Sequence, residues 1–368
     1  MNRNLFENFK KVIMKNILLV ILLFCSSLLF SQEGVKVESI TFKEALVKAE
    51  QQKKLVLIDG YTSWCGPCKW MKRQFKSAEA GLFFNKHFVF LEFDMEKEGK
   101  TLAEKYKKEV TAYPTFLIIR PDGEIQHKVV GADTLSIFIN MVKRGLTKET
   151  SLDYLEKNYK QGKLSKKQIL DYINALTDAS SKKEVAEVAN QLFENLSEKE
   201  RVSSDYLLLY RCIHYRDWNS DRFAYYLRHY KEIAPMMDQE SIAYVRMAAL
   251  WSHFINYLTG MITPEENYGA ELKNEIPSFR ILLENAEIPD RDFYLALGDL
   301  SESQFLNDKI AYERDFNKVL SFPVDEEVYD VLMRSLHLVW GESSESMKIE
   351  NKTGRMLEEK LNRSYEKK

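Results

Sequence analysis

Apolar spacing changes character once along this chain of 368 residues, and that change limits what it can fold into. Up to about residue 148, short apolar runs alternate with helical patterns; from Leu152 onward the apolar residues recur almost only at helical spacing. In the first stretch, Phe42, Ala45, Leu46 and Ala49 mark one helical face between Ile40 and Gln52. Lys53-Lys54 then gives way to Leu55 through Ile58, a run short enough to be a buried strand with Asp59 at its end. Pro67 suits the first turn of a helix, which is expected to continue through Trp70, Met71 and Phe75 toward Phe83 or Phe84. His87 to Phe93 reads as a second central strand, and Glu98 to Val110 as a helix with Leu102, Ala103 and Tyr106 inward. Thr115 to Ile119 reads as a strand, Pro121-Asp122-Gly123 as a turn, and Ile125 to Val130 as the return strand. Gly131 ends the sheet and Leu135 to Val142 forms a last helix. The sum is an α/β domain over residues 32–148, with helices on both faces of its sheet.

Residues 149–368 predict an all-α region of antiparallel helix pairs, repeat-like in style but without a fixed period. Its segments start at Leu152, Leu155 and Tyr159, continue with Lys167 to Leu176 behind a Ser165 cap, and include a stripe of Val185, Val188, Ala189 and Leu192. Further helices are expected over Tyr206 to Tyr215, Phe223 to Ile233, Ile242 to Leu258, Phe293 to Ala296, Ser303 to Val319, Glu327 to Trp340 and Met347 to Tyr365. Asp217-Trp218-Asn219 reads as a turn between helices. Tyr225, Tyr226 and Tyr230 are expected in the core, with a binding groove as the minority reading. Scattered His214, His253 and His337 form no ligand set. A helical array of this kind suits a protein partner or a homodimer.

Residues 1–31 stand apart from both. Lys10, Lys11 and Lys15 precede an uncharged, apolar stretch from Asn16 that ends near Ser26, Ser27 and Ser31. Basic, apolar and small residues in that order predict a secretory signal cut after Ser31, with Met14 as an alternative start. The alternative is a retained membrane tether, for which the run is marginal against the roughly 18 residues a span needs. Lipid attachment at Cys25 is disfavoured by bulky Phe24. The chain has 53 basic and 55 acidic side chains, and removing residues 1–31 makes it more acidic, which gives no general attraction for nucleic acid.

Loss of the leader leaves Cys65, Cys68 and Cys212, an odd set that argues against a structural disulfide framework. Lone Cys212, in helical aromatic sequence, is expected as packing. Cys65 and Cys68 belong to Trp64-Cys65-Gly66-Pro67-Cys68-Lys69, at a strand-to-helix junction. Free N–H groups at a helix start stabilise a thiolate, so Cys65 should attack and Cys68, one turn inside, should resolve. Zinc would need two further ligands at suitable spacing, which His87 and His127 do not supply, and haem attachment would need histidine where Lys69 stands. Asp59 has two readings at this point: a buried acid that takes the Cys68 proton through water, or a solvated strand-end residue.

From Ile40 to Arg144 the sequence resembles the thioredoxin superfamily, on the strength of the Trp64 to Lys69 string. It is most similar to exported bacterial members, including the C-terminal domain of the transmembrane disulfide reductase. The resemblance implies that Asp59, six positions before Cys65, is the buried proton acceptor. It also implies that Pro114, in Thr111-Ala112-Tyr113-Pro114-Thr115-Phe116, follows a cis bond, with Tyr113 touching substrate beside Trp64, Gly66 and Pro67. Gly131 matches the family glycine at the rim of the thiols. Departures are the longer segment from Lys72 to Lys86, the altered approach Gly60-Tyr61-Thr62-Ser63, and Phe90 at the position of a family lysine, whose absence should leave Asp59 holding its proton more tightly.

The implied activity is that of a protein disulfide oxidoreductase in the bacterial periplasm, acting on protein thiols and disulfides. It is more reductase than oxidant, and its redox group is the Cys65-Cys68 disulfide with no separate cofactor. An upstream electron donor or acceptor is required. The alternative is a helical interaction module whose thioredoxin-like part senses redox state or docks.

Overall fold

The computed structural model describes residues 34–341, except 98, 100, 101, 103, 104, 107, 108, 215, 216, 261–268 and 324, together with 347, 348, 351, 352 and 355. The expected signal and most of the Met347 to Tyr365 helix lie outside them. The chain forms two compact units, one ending at Lys182 and one beginning at Lys183.

Helix α1 (Phe42–Gln52) starts where Thr41 and Glu44 cap each other reciprocally and stops at left-handed Lys53. Strand β1 (Leu55–Tyr61) is longer than its apolar run suggested. It continues through Asp59, which is therefore inside the strand and not at its end. Helix α2 (Gly66–Gln74) is separate from α3 (Ala78–His87), correcting the single helix expected there. The break comes at Ser77, whose Oγ accepts the Ala80 N–H and restarts the chain as an N-cap. Strands β2 (Phe88–Asp94), β3 (Thr115–Ile119) and β4 (Ile125–Val130) follow, then α4 (Leu135–Arg144). Of the helix expected over Glu98 to Val110, Glu98 and Ala103 lie outside the described residues; Tyr106 N–H bonds to Leu102 O at 3.0 Å.

The sheet order is β2-β1-β3-β4, with β1 parallel to β2 and the other pairs antiparallel. Alternation divides each central strand between two cores. Leu57, Phe90, Phe116 and Ile118 face α2, α3 and α4, while Val56, Ile58, Val89, Leu117 and Ile119 join Ala45 and Ala49 of α1. Phe75, just after α2, is the hub of the first core: its ring lies 5.4 Å from Phe84, 5.4 Å from Phe90, 5.9 Å from Phe116 and 5.8 Å from Phe138. Phe75→Ala empties that hub beneath the cysteine helix, and urea unfolding should show a loss of about 3–5 kcal/mol.

The first unit continues past residue 148 through α5 (Leu152–Lys160) and α6 (Lys166–Asp178). Long-range polar contacts explain the continuation. Arg144 grips buried Asp178 with Nε and Nη2, both at 2.5 Å, and Leu152 N–H donates to His127 Nδ1 at 3.2 Å.

Among its described residues, every secondary-structure element of the second unit is helical. It contains α7 (Lys182–Glu194), α8 (Asp221–Arg228), α9 (Gln239–Val245), α10 (Ser252–Leu258), α11 (Gly269–Glu284), α12 (Arg291–Phe305), α13 (Lys309–Val319) and α14 (Glu326–Trp340), with short helical turns between some of them. The helix expected over Ile242 to Leu258 is interrupted by a π-helical turn at Arg246–Trp251. The one expected over Ser303 to Val319 is broken where Asp308 caps α13. Tyr225 and Tyr226 are buried, as expected of core residues, whereas Tyr230 is half-buried with its ring edge-on to Tyr226. Fully buried Arg222 bonds to Asp217 Oδ1 at 2.6 Å and Asn190 Oδ1 at 2.7 Å, and reaches Cys212 Sγ at 3.2 Å. Burial pushes the Cys212 thiol up despite that guanidinium, which disfavours its reactive thiolate form.

Candidate active site

The site sits where β1 ends and α2 begins. Cys65 is the N-cap of α2: its Sγ accepts the Cys68 N–H at 3.1 Å, and Pro67 fills the first turn where a missing donor costs nothing. Cys65 and Cys68 are joined in a disulfide with their Cα atoms 5.4 Å apart. The two residues are equally buried, at 3% and 4% exposure, so accessibility of the oxidised form does not separate attacker from resolver. Their positions differ: Cys65 caps the helix, while Cys68 lies within it.

Around the disulfide the chain assembles the residues singled out from sequence. Trp64 is 65% exposed, and Gly66 and Pro67 are exposed beside it. The Tyr113-Pro114 bond is cis. The Tyr113 ring meets Trp64 edge to face at 6.1 Å, and the Pro114 carbonyl accepts the Gly131 N–H at 2.9 Å. Gly131 has a φ of +98°, which a side chain would resist, so its place after β4 is a backbone requirement. One contributor was missed: Glu96 accepts the Trp64 indole N–H at 3.1 Å on both carboxylate oxygens.

Asp59 is buried in the middle of β1, paired in register with Glu92 on one side and Phe116 on the other. Its Oδ1 has no hydrogen-bond partner. Burial, reinforced by the Glu92 charge and opposed by Lys72, pushes its pKa up to about 8. This is the direction expected from Phe90 at the position of the family lysine. Phe90 is core, but a cation is still supplied: Lys72 of α2 binds Glu92 Oε2 at 2.6 Å and lies 5.6 Å from the Tyr61 ring centre. Helical spacing places Lys72 one turn after Cys68, and strand alternation places Glu92 on the Phe90 face; only the fold shows that these two faces meet.

Among the described residues, no cluster of three or more His, Cys, Asp or Glu could hold a metal. Residues 33–144 match the family model Thioredoxin. A thioredoxin H-type of Oryza sativa subsp. indica is 40% identical over 108 residues, which cover 28% of this chain and 80% of the relative. The chain belongs to the thioredoxin family. Thioredoxin H3 of Arabidopsis thaliana is 37% identical over 102 residues, covering 27% of this chain and 79% of its own. Among solved structures, a protein of Bacteroides thetaiotaomicron titled as a candidate disulphide-isomerase is 43% identical over 31% of this chain and 93% of its own, with a TM-score of 0.28. This thioredoxin-family chain is thus a disulfide oxidoreductase, its redox group the Cys65-Cys68 disulfide. The family match ends at residue 144.

Proposed function

We propose that the protein reduces disulfides of exported proteins in the bacterial cell envelope. The observation that carries the reading is Cys65 at the start of α2, its sulfur already accepting a backbone N–H. In the reduced enzyme, the same helix start stabilises the Cys65 thiolate, which attacks one sulfur of a substrate disulfide and expels the other as a thiolate. Cys68 then gives its proton to Asp59 through water and attacks Cys65, releasing the second substrate thiol and re-forming the Cys65-Cys68 disulfide. Two electrons pass to the substrate, and a donor thiol must restore the enzyme.

Trp64, Gly66, Pro67 and Tyr113 form the rim against which a substrate chain lies, and cis Pro114 sets the backbone beside it. Placement outside the cytoplasm is supported by the basic and apolar order of residues 10–31. The helical second unit is assigned the recognition of a protein partner. Direction is tested by equilibrating the protein, without residues 1–31, against glutathione. A reduction potential near about −270 mV is expected, and one near about −120 mV would make it an oxidant.

A further inference from the structure

Beside the acid already assigned to the cysteines stands a second carboxylate that the reaction, as written, does not use. Glu92 is the register partner of Asp59 across the parallel β1–β2 pair, so the two backbones run about 4.8 Å apart and the side chains share the face covered by α2. Adjacent carboxylates in a partly dry site repel unless a cation compensates. Lys72 is that cation, 2.6 Å from Glu92. Its own pKa is raised, first by the hydrogen bond to Glu92. The three groups also grade from sealed to wet: Asp59 is buried, the Glu92 side chain is 13% exposed and that of Lys72 is 56% exposed.

We propose that Glu92, clamped by Lys72, is a positioning residue that acts through Asp59 to govern when Cys68 can give up its proton. The proposal rests on the exchange reaction described above and adds a control to it. The groups facing Asp59 are few. β2 contributes Glu92, α2 contributes the Lys72 charge, β1 itself carries Tyr61 two residues on along the same face, and β3 presents Phe116, which does not titrate. Glu92 favours the protonated form of Asp59 and Lys72 the ionised form. Removing either charge should therefore shift the acid in opposite directions, an outcome that loss of packing does not produce.

The test uses the full reduced protein and the disulfide reagent dithiobis(nitrobenzoate). Attack by Cys65 releases one nitrothiobenzoate and resolution by Cys68 releases a second, so the second phase reports resolution. Followed from roughly pH 5 to 9, its midpoint should fall by about half a unit or more in Glu92→Gln and rise by a similar amount in Lys72→Met. Lys72→Arg should restore the wild-type midpoint, and the double variant should lie between the singles. Midpoints that do not move, or that move together, overturn the role of Glu92. A wild type with no second phase would instead overturn the exchange reaction, so the two failures are distinguishable.

Discussion

Cys65→Ser abolishes turnover: with insulin as substrate and a chemical reductant to recycle the enzyme, the rate drops by at least about a thousandfold. The cause is chemical, since serine fits the cap position and its hydroxyl can still accept the Cys68 N–H. What is lost is a nucleophile that can carry a sulfur–sulfur bond. Cys68→Ser gives a similar loss of turnover by a different route, because its first step survives. Cys65 still attacks and the enzyme stalls as a mixed disulfide, so the initial burst of substrate thiol remains while steady turnover vanishes. Equal loss of both phases in the two variants would contradict the assignment of attacker and resolver.

Asp59→Asn makes the protein more stable and slower. The carboxyl has a pKa of about 8 in the folded chain against 3.8 ordinarily. Below about pH 4 folded and unfolded chains are both protonated, and the substitution changes little. Between about pH 4 and 8 the unfolded chain ionises and the folded one does not, so folding loses ground as pH rises, until the folded acid ionises as well. At pH 7 that penalty amounts to about 4 kcal/mol, and asparagine, which never ionises, is spared it. Urea midpoints of the oxidised protein should therefore rise at pH 7 and coincide with wild type near pH 4. In the same variant resolution should slow by about a hundredfold and lose its rise toward pH 8, because Cys68 has no acceptor for its proton. A variant that is destabilised at pH 7, or that resolves at the wild-type rate, would contradict the role of Asp59.

The parts of this account that were legible in the sequence are those encoded by neighbours. Strands β3 and β4 were placed at their observed limits because a turn and a glycine punctuate them. The cysteine pair and Pro67 announce a helix start because N-cap chemistry is local. Asp59 was located but misplaced at a strand end, since an apolar run stops at its last apolar residue while hydrogen-bond pairing continues to Tyr61. The break between α2 and α3 was hidden because apolar residues continue across it; Ser77 restarts the chain as an N-cap with a side-chain bond that periodicity does not register.

Contacts between distant elements were the least visible. Lys72 and Glu92 lie 20 residues apart and meet only because a parallel strand brings one under the helix that carries the other. Arg144 and Asp178, 34 residues apart, likewise extend the first unit beyond the point where the strand pattern ends. Loss of the family lysine at Phe90 and its direction of effect on Asp59 were legible, but the Lys72 cation that another element brings beside Glu92 was not.

The central claim, that Cys65 and Cys68 exchange a disulfide with substrate in that order, is tested most directly by intact-mass measurement. Reduced Cys68→Ser protein is mixed with a peptide containing a single disulfide and quenched in acid. A covalent adduct of one peptide mass, linked at Cys65 and reversed by a reducing agent, is the result the account predicts. No adduct, or an adduct that forms equally at Cys68 in the Cys65→Ser variant, would contradict it.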